Sequence, residues 1–560
     1  MKPEIDNSKL TLEKIREERL EQLKFLESKG INPYPPEPPA RTHTNIEITN
    51  NYNELESKDV SVLGRITSIR GHGKLYFFDI NDSSGKVQVF INQNDNPEDI
   101  VLFHEAFRPG DIVAVTGNVF KTKSGEATVK LSKLTMLAKA VLPPLFAGDY
   151  GERKPVGTET QEELKVRAQE IKEGKIRSDV FTDPGERAQN RPLDMIAHPE
   201  VVERFKTRSK FVEHIRKFFT EDLNAWELDT PIMDSQYGGA SAKPFVTHHN
   251  DLNMDLFLRI SNEIYLKKFM VGGFEGAFEF SRDFRNEGID WKHNPEFTQV
   301  ELYKAFTDYN FMMTMAENLI YNFAREHLGT SKIVYQGKEF DLKPPWKRLS
   351  IYDGIKQQMG IDFEKLTTEE VLEIAKREEI DETDPGHIAL KLFDIYVEPT
   401  ISEPTFVIDY PASTSPLTKL HRSKPGLVER FECIVAGMET MNCYTELNDP
   451  RLQRANFEEE VKRKEGGDEE TMPTDDSFLQ AMEYGMPPMG GIGISIDRFI
   501  MIFTNCNNIR EVIAFPVQRI VGDQKKIIEV SEVPEKKHKI SKIRLKKYRR
   551  TYNKPVSEEE

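Results

Sequence analysis

Apolar and polar positions alternate with two different periods along this chain, and the change of period divides it. In the first 30 residues Leu12, Ile15, Leu23 and Leu26 recur among charged positions at helical spacing, and Gly30 with the INPYPP that follows closes that helix. From about Asp59 to Lys139 the period shortens to two. Short β-rich segments alternate there between turns at Gly64, Gly71, Gly73, Gly85, Gly110, Gly117 and Gly125, the pattern of a small barrel. Residues 144–182 form a charged stretch with a helical pattern near Gln161 to Lys172. Helical spacing returns from about Arg204 to Leu223, and Trp226 to Thr230 reads as a strand ending at Pro231, which lacks a ladder donor. Further on, Ile264, Leu266 and Phe269 share a helical face that Ser261 can cap, with Glu263 in the first turn, where the dipole favours an acid. His248 and His249 read as structural loop residues. Periodicity by itself supports a mixed α and β chain.

Three later windows carry more polar chemistry than their pattern needs. FRNEGIDWKHNPEFTQVELY, Phe284 to Tyr303, gathers Arg285, Glu287, His293, Asn294, Phe297, Glu301 and Tyr303. An arginine and an acid at i+2 share one side of a strand, and Phe297, Glu301 and Tyr303 share a face of the next. Such a hairpin suits a flat base and a polyanion. In ERFECIVAGMETMNCYTELNDP, Glu429 to Pro450, Glu432 and Glu439 interrupt an apolar run. Buried carboxylates are costly without a partner, so bound cations are the natural explanation. Asn442, Tyr444 and Glu446 alternate, whereas Glu439 is out of phase with Asn442, so a bulge or turn has to intervene. In GGIGISIDRFIMIFTN, Gly490 to Asn505, a glycine-rich strand runs into an apolar helix opening near Asp497 and Arg498, a start that favours anions.

Composition adds boundaries. With 560 residues, 38% of them hydrophobic, the chain can bury several cores, and length suggests about four domain-sized pieces. A mean hydropathy of −0.56 and the lack of a long apolar run argue against a membrane span. Cys433, Cys443 and Cys506 have no CxxC spacing, which leaves neither a zinc site nor a disulfide framework and points to a reduced, cytoplasmic setting. The N-terminus has neither an apolar signal core nor an acid-poor transit pattern. A net charge of −16 hides a local excess of the other sign: Lys536 to Lys554 is rich in Lys and Arg, with Tyr548 and Tyr552 and no acid. Local fields, not the average, hold phosphates. That tail reads equally as an RNA-holding or a solvated segment.

The first window resembles motif 2 of the class II aminoacyl-tRNA synthetases, and FRNEG with HNPEFT and E-x-Y resembles subclass IIb, the lysine, aspartate and asparagine enzymes. The glycine-rich strand and helix resemble motif 3, and the unit ending at Pro231 resembles motif 1. GGASAKPF, LRISNEIYLKKFMVGGFE, HRSKPGLVERFE and TELNDP are similar to the lysine branch, the lysyl-tRNA synthetase family. The resemblance implies an α+β fold: an N-terminal five-stranded OB-fold barrel, then a catalytic domain built on an antiparallel sheet flanked by helices. The pieces expected are a helical extension and linker (1–58), an anticodon-binding barrel (59–142), an insertion (143–183), a catalytic domain (184–517) and a basic tail (518–560).

It also implies roles. Arg285 and Arg498 are the expected catalytic residues. ATP would be held by Arg285, Glu287, His293, Asn294, Phe297, Glu432, Glu439 and Arg498, with Mg2+ on Glu432 and Glu439. Lysine would be held by Gly239, Glu263, Arg285, Glu301, Tyr303, Asn442, Tyr444 and Glu446. Phe77, Gln88 and Glu126 would touch the anticodon of tRNA(Lys), and Pro231 would lie in a homodimer interface. Charge selects lysine from the subclass, because Glu301 and Glu446 with Tyr303 and Tyr444 make a negative, aromatic pocket, whereas an aspartate pocket needs a cation. Unmatched desolvated acids cost about 2–5 kcal/mol. An aspartate or asparagine enzyme, and a non-catalytic tRNA-binding descendant, remain the alternatives. Ser495 stands where glycine is expected, Asn262 where proline is, Met489 and Gly490 replace a Thr-Ala pair, and Pro192 interrupts an Arg-Tyr-Leu-Asp pattern.

Overall fold

The computed structural model describes residues 12–72, 75–95, 97–144, 184–465 and 472–517. The helical pattern near Gln161 to Lys172 and the basic stretch Lys536 to Lys554 lie outside the described residues.

The period-two segments close as expected. Strands β1 (Asp59–His72), β2 (Leu75–Asn81), β3 (Lys86–Asn92), β4 (Ile112–Lys121) and β5 (Ala127–Ala138) form a barrel in the order β1-β2-β3-β5-β4. Neighbours run antiparallel except β3 and β5. One face of every strand fills the interior, with Val62, Ile66, Phe78, Ile80, Val89, Val115 and Val129 buried together. Gly117 sits where a side chain has no room, since a Cβ there would stand 2.1 Å from the Lys130 carbonyl oxygen. The helix Leu12–Ser28 adds Leu26 to this core, and its Arg19 donates to the carbonyls of Ala140 and Pro109 at 2.8 and 3.1 Å.

The second core surrounds an eight-stranded sheet. Its order is Lys347–Ser350, Thr405–Pro411, Leu427–Val435, Met438–Thr445, Met489–Ser495, Glu296–Ala305, Gly276–Phe284 and Trp226–Glu227. Only the two outermost pairs are parallel. Alternation decides what each face does. Val300, Leu302, Ile492, Ile494, Phe431, Cys433, Met441 and Cys443 face the helices Pro199–Lys217, Tyr309–Phe323 and Ile496–Phe503. There Phe211, Phe323, Phe499 and Phe503 pack ring to ring. The intervening residues face the other way and line a cavity.

Several local expectations shift. The motif 1 helix starts at Pro199 and ends at Lys217, widening into a π-helical turn over Phe218–Asp222. Its strand is reduced to Trp226–Glu227; the Leu228 N–H still reaches the Phe278 carbonyl, and at Thr230 the Arg259 guanidinium donates to the carbonyl and hydroxyl. The helix carrying Ile264 begins at Glu263 with Asn262 in the cap position, while the Ser261 hydroxyl accepts the Glu263 N–H at 3.1 Å. His248 and His249 lie on a short strand, Val246–His249, rather than a loop, and His248 pairs with Asp255.

Candidate active site

The motif 2 hairpin pairs Gly276–Phe284 with Glu296–Ala305, so that Phe297 opposes Asp283 and Glu301 opposes Glu279. On the other side Glu301 lies beside Gly493 and Tyr303 beside Gly491, which in turn face Asn442 and Tyr444. Two glycines between two tyrosines and two polar rows leave a trough in the sheet. Together with the loops it forms a cavity of 580 Å³.

At one end the cavity is cationic. Arg285 follows the strand end and its N–H is fixed on the Pro295 carbonyl. Its guanidinium lies 5.0 Å over the Phe297 ring, and its buried Nε has no partner. An unsatisfied buried donor costs free energy, so this arginine is arranged for an arriving acceptor. Arg498 enters from the first turn of the helix Ile496–Phe503, whose cap is Ser495: the Ser495 hydroxyl accepts the Arg498 N–H at 3.3 Å. The serine found where glycine was expected therefore caps the helix that carries the arginine. Asn262, found in place of proline, likewise has work, donating to Glu279 at 2.9 Å. His293 lines the rim with its Nδ1 on Asp290, and Glu287 and Asn294 line the same loop.

The acid hairpin lies opposite. Glu432 pairs across the ladder with Asn442, while Ile434 pairs with Glu439, so Thr440 is the extra residue. This bulge supplies the phase change the sequence required, and the Thr440 hydroxyl ties it down on the Cys433 carbonyl at 3.0 Å. Both acids then face the cavity. Burial, reinforced by the neighbouring Glu439, pushes the Glu432 carboxyl up to about 7. Burial acts upward on Glu439 too, but Arg498 and Arg430 outweigh it and hold that carboxyl below its usual range. Two adjacent acids, one incompletely compensated, are an oxygen donor set that suits a hard divalent cation.

The far end is acidic and aromatic. Glu301 accepts from Ser261, Gln299 and the Tyr303 hydroxyl at 3.1, 2.7 and 2.9 Å. Burial, with Glu263 and Asp283 adding like charge, raises its carboxyl well above the ordinary value. Gly239, at φ +82°, lines this end beside Ser261, and Glu263, Tyr303, Asn442 and Tyr444 complete it.

Glu446 departs from expectation. It is fully buried behind Gly491, does not line the cavity, and meets Lys267 Nζ at 2.5 Å. The charge ascribed to it as unmatched is thus partly matched from within. Lys267 was missed, although Glu263 and Lys267 stand at i and i+4 of one helix, a readable ion-pair signal. Arg430 was also missed; it stacks on Tyr410 and pairs with Glu432, two residues along the same strand.

Phe77, Gln88 and Glu126 come together on the barrel. Gln88 donates to Glu126 at 2.9 Å, and Phe77 is half-exposed, 5.0 Å from the Phe90 ring, with Phe120 beyond. Its neighbour Phe78 fills the core instead. Pro231 is exposed and apart from the cavity.

The sequence that builds this site matches known proteins. The chain belongs to the class II tRNA synthetases (D, K and N), whose family pattern covers residues 183–519, and residues 60–137 match the OB-fold nucleic acid binding domain. ATP is the family's substrate. Among curated proteins it is 42% identical over 511 residues to the lysine--tRNA ligase of Clostridium novyi (strain NT), covering 90% of this chain and 94% of that one. It is 40% identical over 522 residues to the lysine--tRNA ligase of Clostridium botulinum (strain Loch Maree / Type A3), covering 92% and 97%. Among the described residues no helix is long and apolar enough to cross a membrane.

Proposed function

We propose that this chain is a lysine--tRNA ligase, activating L-lysine with ATP and passing the lysyl group to the 3′ end of tRNA(Lys). The observation that carries the choice of amino acid is the acid end of the cavity: Glu301 and Glu263 line it, and Glu446 Oε1 lies behind Gly491 without a hydrogen-bond partner. A long apolar stem between Tyr303 and Tyr444 with a cationic tip fits this end; a carboxylate tip meets acids.

The opposite ends set the reaction. The lysine carboxylate attacks the α-phosphate of ATP and pyrophosphate leaves; a terminal ribose hydroxyl of the tRNA, losing its proton, then attacks the acyl carbon of the mixed anhydride and AMP leaves. Arg285, at the cationic end, would offset charge on the α-phosphate and on the attacking carboxylate. Phe297 offers a face for adenine, and Arg498 a cation for the outer phosphates. Glu432 and Glu439 would hold Mg2+, which when bound neutralises phosphate charge. Positioning and electrostatics supply this kind of catalysis, with no covalent enzyme intermediate. The aromatic row of the barrel with Gln88 and Glu126 is the proposed anticodon surface. A cytoplasmic homodimer, joined through the motif 1 unit that includes Pro231, completes the reading.

The test is ATP–pyrophosphate exchange with purified protein and each amino acid in turn. Lysine alone should drive exchange, and exchange driven by aspartate or asparagine but not by lysine refutes the assignment.

A further inference from the structure

Lys267 has no exposed surface, yet nothing in the family reading gives it a task. Its ammonium lies between two carboxylates from distant parts of the chain: Glu263, one turn back on its own helix, and Glu446, just past the strand Met438–Thr445. All three side chains are at most 4% exposed. The ring of Tyr303 lies 5.8 Å from the ammonium. One cation is therefore shared by two desolvated acids, and Glu263 reaches the cavity while Glu446 stands directly behind its floor at Gly491.

We propose that Lys267 is a positioning residue that sets amino-acid specificity: its shared ammonium fixes Glu263 and Glu446 in place while leaving the array one positive charge short, and the side-chain ammonium of the bound amino acid supplies that charge. This rests on the lysine reading above. Without Lys267 two acids would face each other in a dry site and one would hold its proton more tightly still, so the pocket would be slower to give up that proton to a substrate that brings two ammonium groups. With two internal cations the array would already be neutral and would have no preference for an extra ammonium. A neutral or acidic side chain leaves the deficit unfilled, which is a physical basis for rejecting the other substrates of the subclass.

One ammonium for two buried acids shows in their titration: burial pushes Glu446 up to about 8 against the opposing pull of Lys267, so near neutral pH a proton stands in for the missing cation until the substrate ammonium replaces it; Glu263 is raised by burial too, and burial lowers Lys267, but the two acids outweigh it and hold it charged. The other groups facing this array are Glu301, Tyr303, Tyr444 and Arg430, with Cys443 beside Glu446.

The test compares Lys267→Met, Lys267→Arg and Glu446→Gln with the unaltered protein in ATP–pyrophosphate exchange, varying lysine, ATP and pH. Lys267→Met should raise KM for lysine by about thirtyfold or more, because one partner of a buried charge pair is removed, while KM for ATP stays within about twofold. The rise of kcat/KM for lysine with pH, which reports groups of the free enzyme, should move to higher pH. Lys267→Arg should restore most of the loss. If Lys267→Met does not fold, Lys267→Met in the Glu446→Gln background decides: little further loss of lysine affinity beyond Glu446→Gln is expected, since the two act as one unit. A lysine KM within twofold of the unaltered protein in folded Lys267→Met, a parallel change of both KM values, or a further rise of about thirtyfold in lysine KM when Lys267→Met is added to Glu446→Gln overturns the proposal. Unaltered protein that exchanges with a different amino acid overturns the lysine reading as well, which separates the two failures.

Discussion

Gly491→Ala places a methyl group where the sheet has no space for one. A Cβ on Gly491 would stand 2.1 Å from Glu446 Oε1 and 2.5 Å from Tyr303 Cε1, against an ordinary separation of roughly 3.5 Å. Neither neighbour can retreat freely. Glu446 is fully buried and paired with Lys267, and Tyr303 is 3% exposed with its hydroxyl on Glu301. Overpacking of this kind costs about 1–3 kcal/mol, and in a domain of this size each kcal/mol lowers the melting temperature by roughly 2–4 °C. Gly493, two residues along and on the same face, is the internal control. Its nearest neighbour would be Glu301 Cγ at 3.7 Å, so Gly493→Ala should leave stability within about 0.5 kcal/mol. Its methyl instead projects into the cavity and should show as a raised substrate KM. Calorimetric melts of the two variants, with lysine-dependent exchange measured on the same samples, separate packing from occupancy. Equal melting temperatures would refute the argument that Glu446 and Tyr303 close over Gly491.

Other perturbations follow the same geometry. Arg285→Ala removes a side chain whose Nε lacks a partner, so exchange should fall by about a hundredfold or more while tRNA affinity, read by filter binding, and the melting temperature change little; exchange near the unaltered rate would exclude the role. Ser495→Ala deletes the cap on the Arg498 N–H and should cost about 0.5–2 kcal/mol, visible in denaturant unfolding. Asp283 is raised to about 6 by burial, against the pull of Arg259 and Arg285. A raised acid stabilises the fold below its unfolded value, and this contribution is lost as pH rises from about 4 to about 6, by at most about 3 kcal/mol. Asp283→Asn stays neutral and should flatten that part of the stability profile; an unchanged slope in paired melts across this window would count against the burial effect.

How much of this was legible in the chain depends on the range of the forces involved. The barrel was readable because a half-buried strand imposes a period of two, and Val62, Phe78 and Val89 obey it. The bulge near Thr440 was readable as well, since Glu439 and Asn442 cannot share a strand face without one. Family pattern pointed to Arg285, Phe297, Glu301, Glu432 and Arg498 as one site, and they line one cavity. Local signals failed at the strand read as Trp226 to Thr230, which ends at Glu227, and Thr230 bonds instead to Arg259, 29 residues away.

The sequence by itself thus determined most of the elements and most of the residues that come to line the cavity, because periodicity and motif spacing are properties of neighbouring residues. Which charges remain unmatched was decided only by tertiary structure. Glu446 looked like an open site for a cation until the helix Glu263–Val271 packed Lys267 against it. The physical reason is that Coulomb interactions act through space and grow as water is excluded, so the charge state of a pocket belongs to the folded arrangement and to no single segment of the chain.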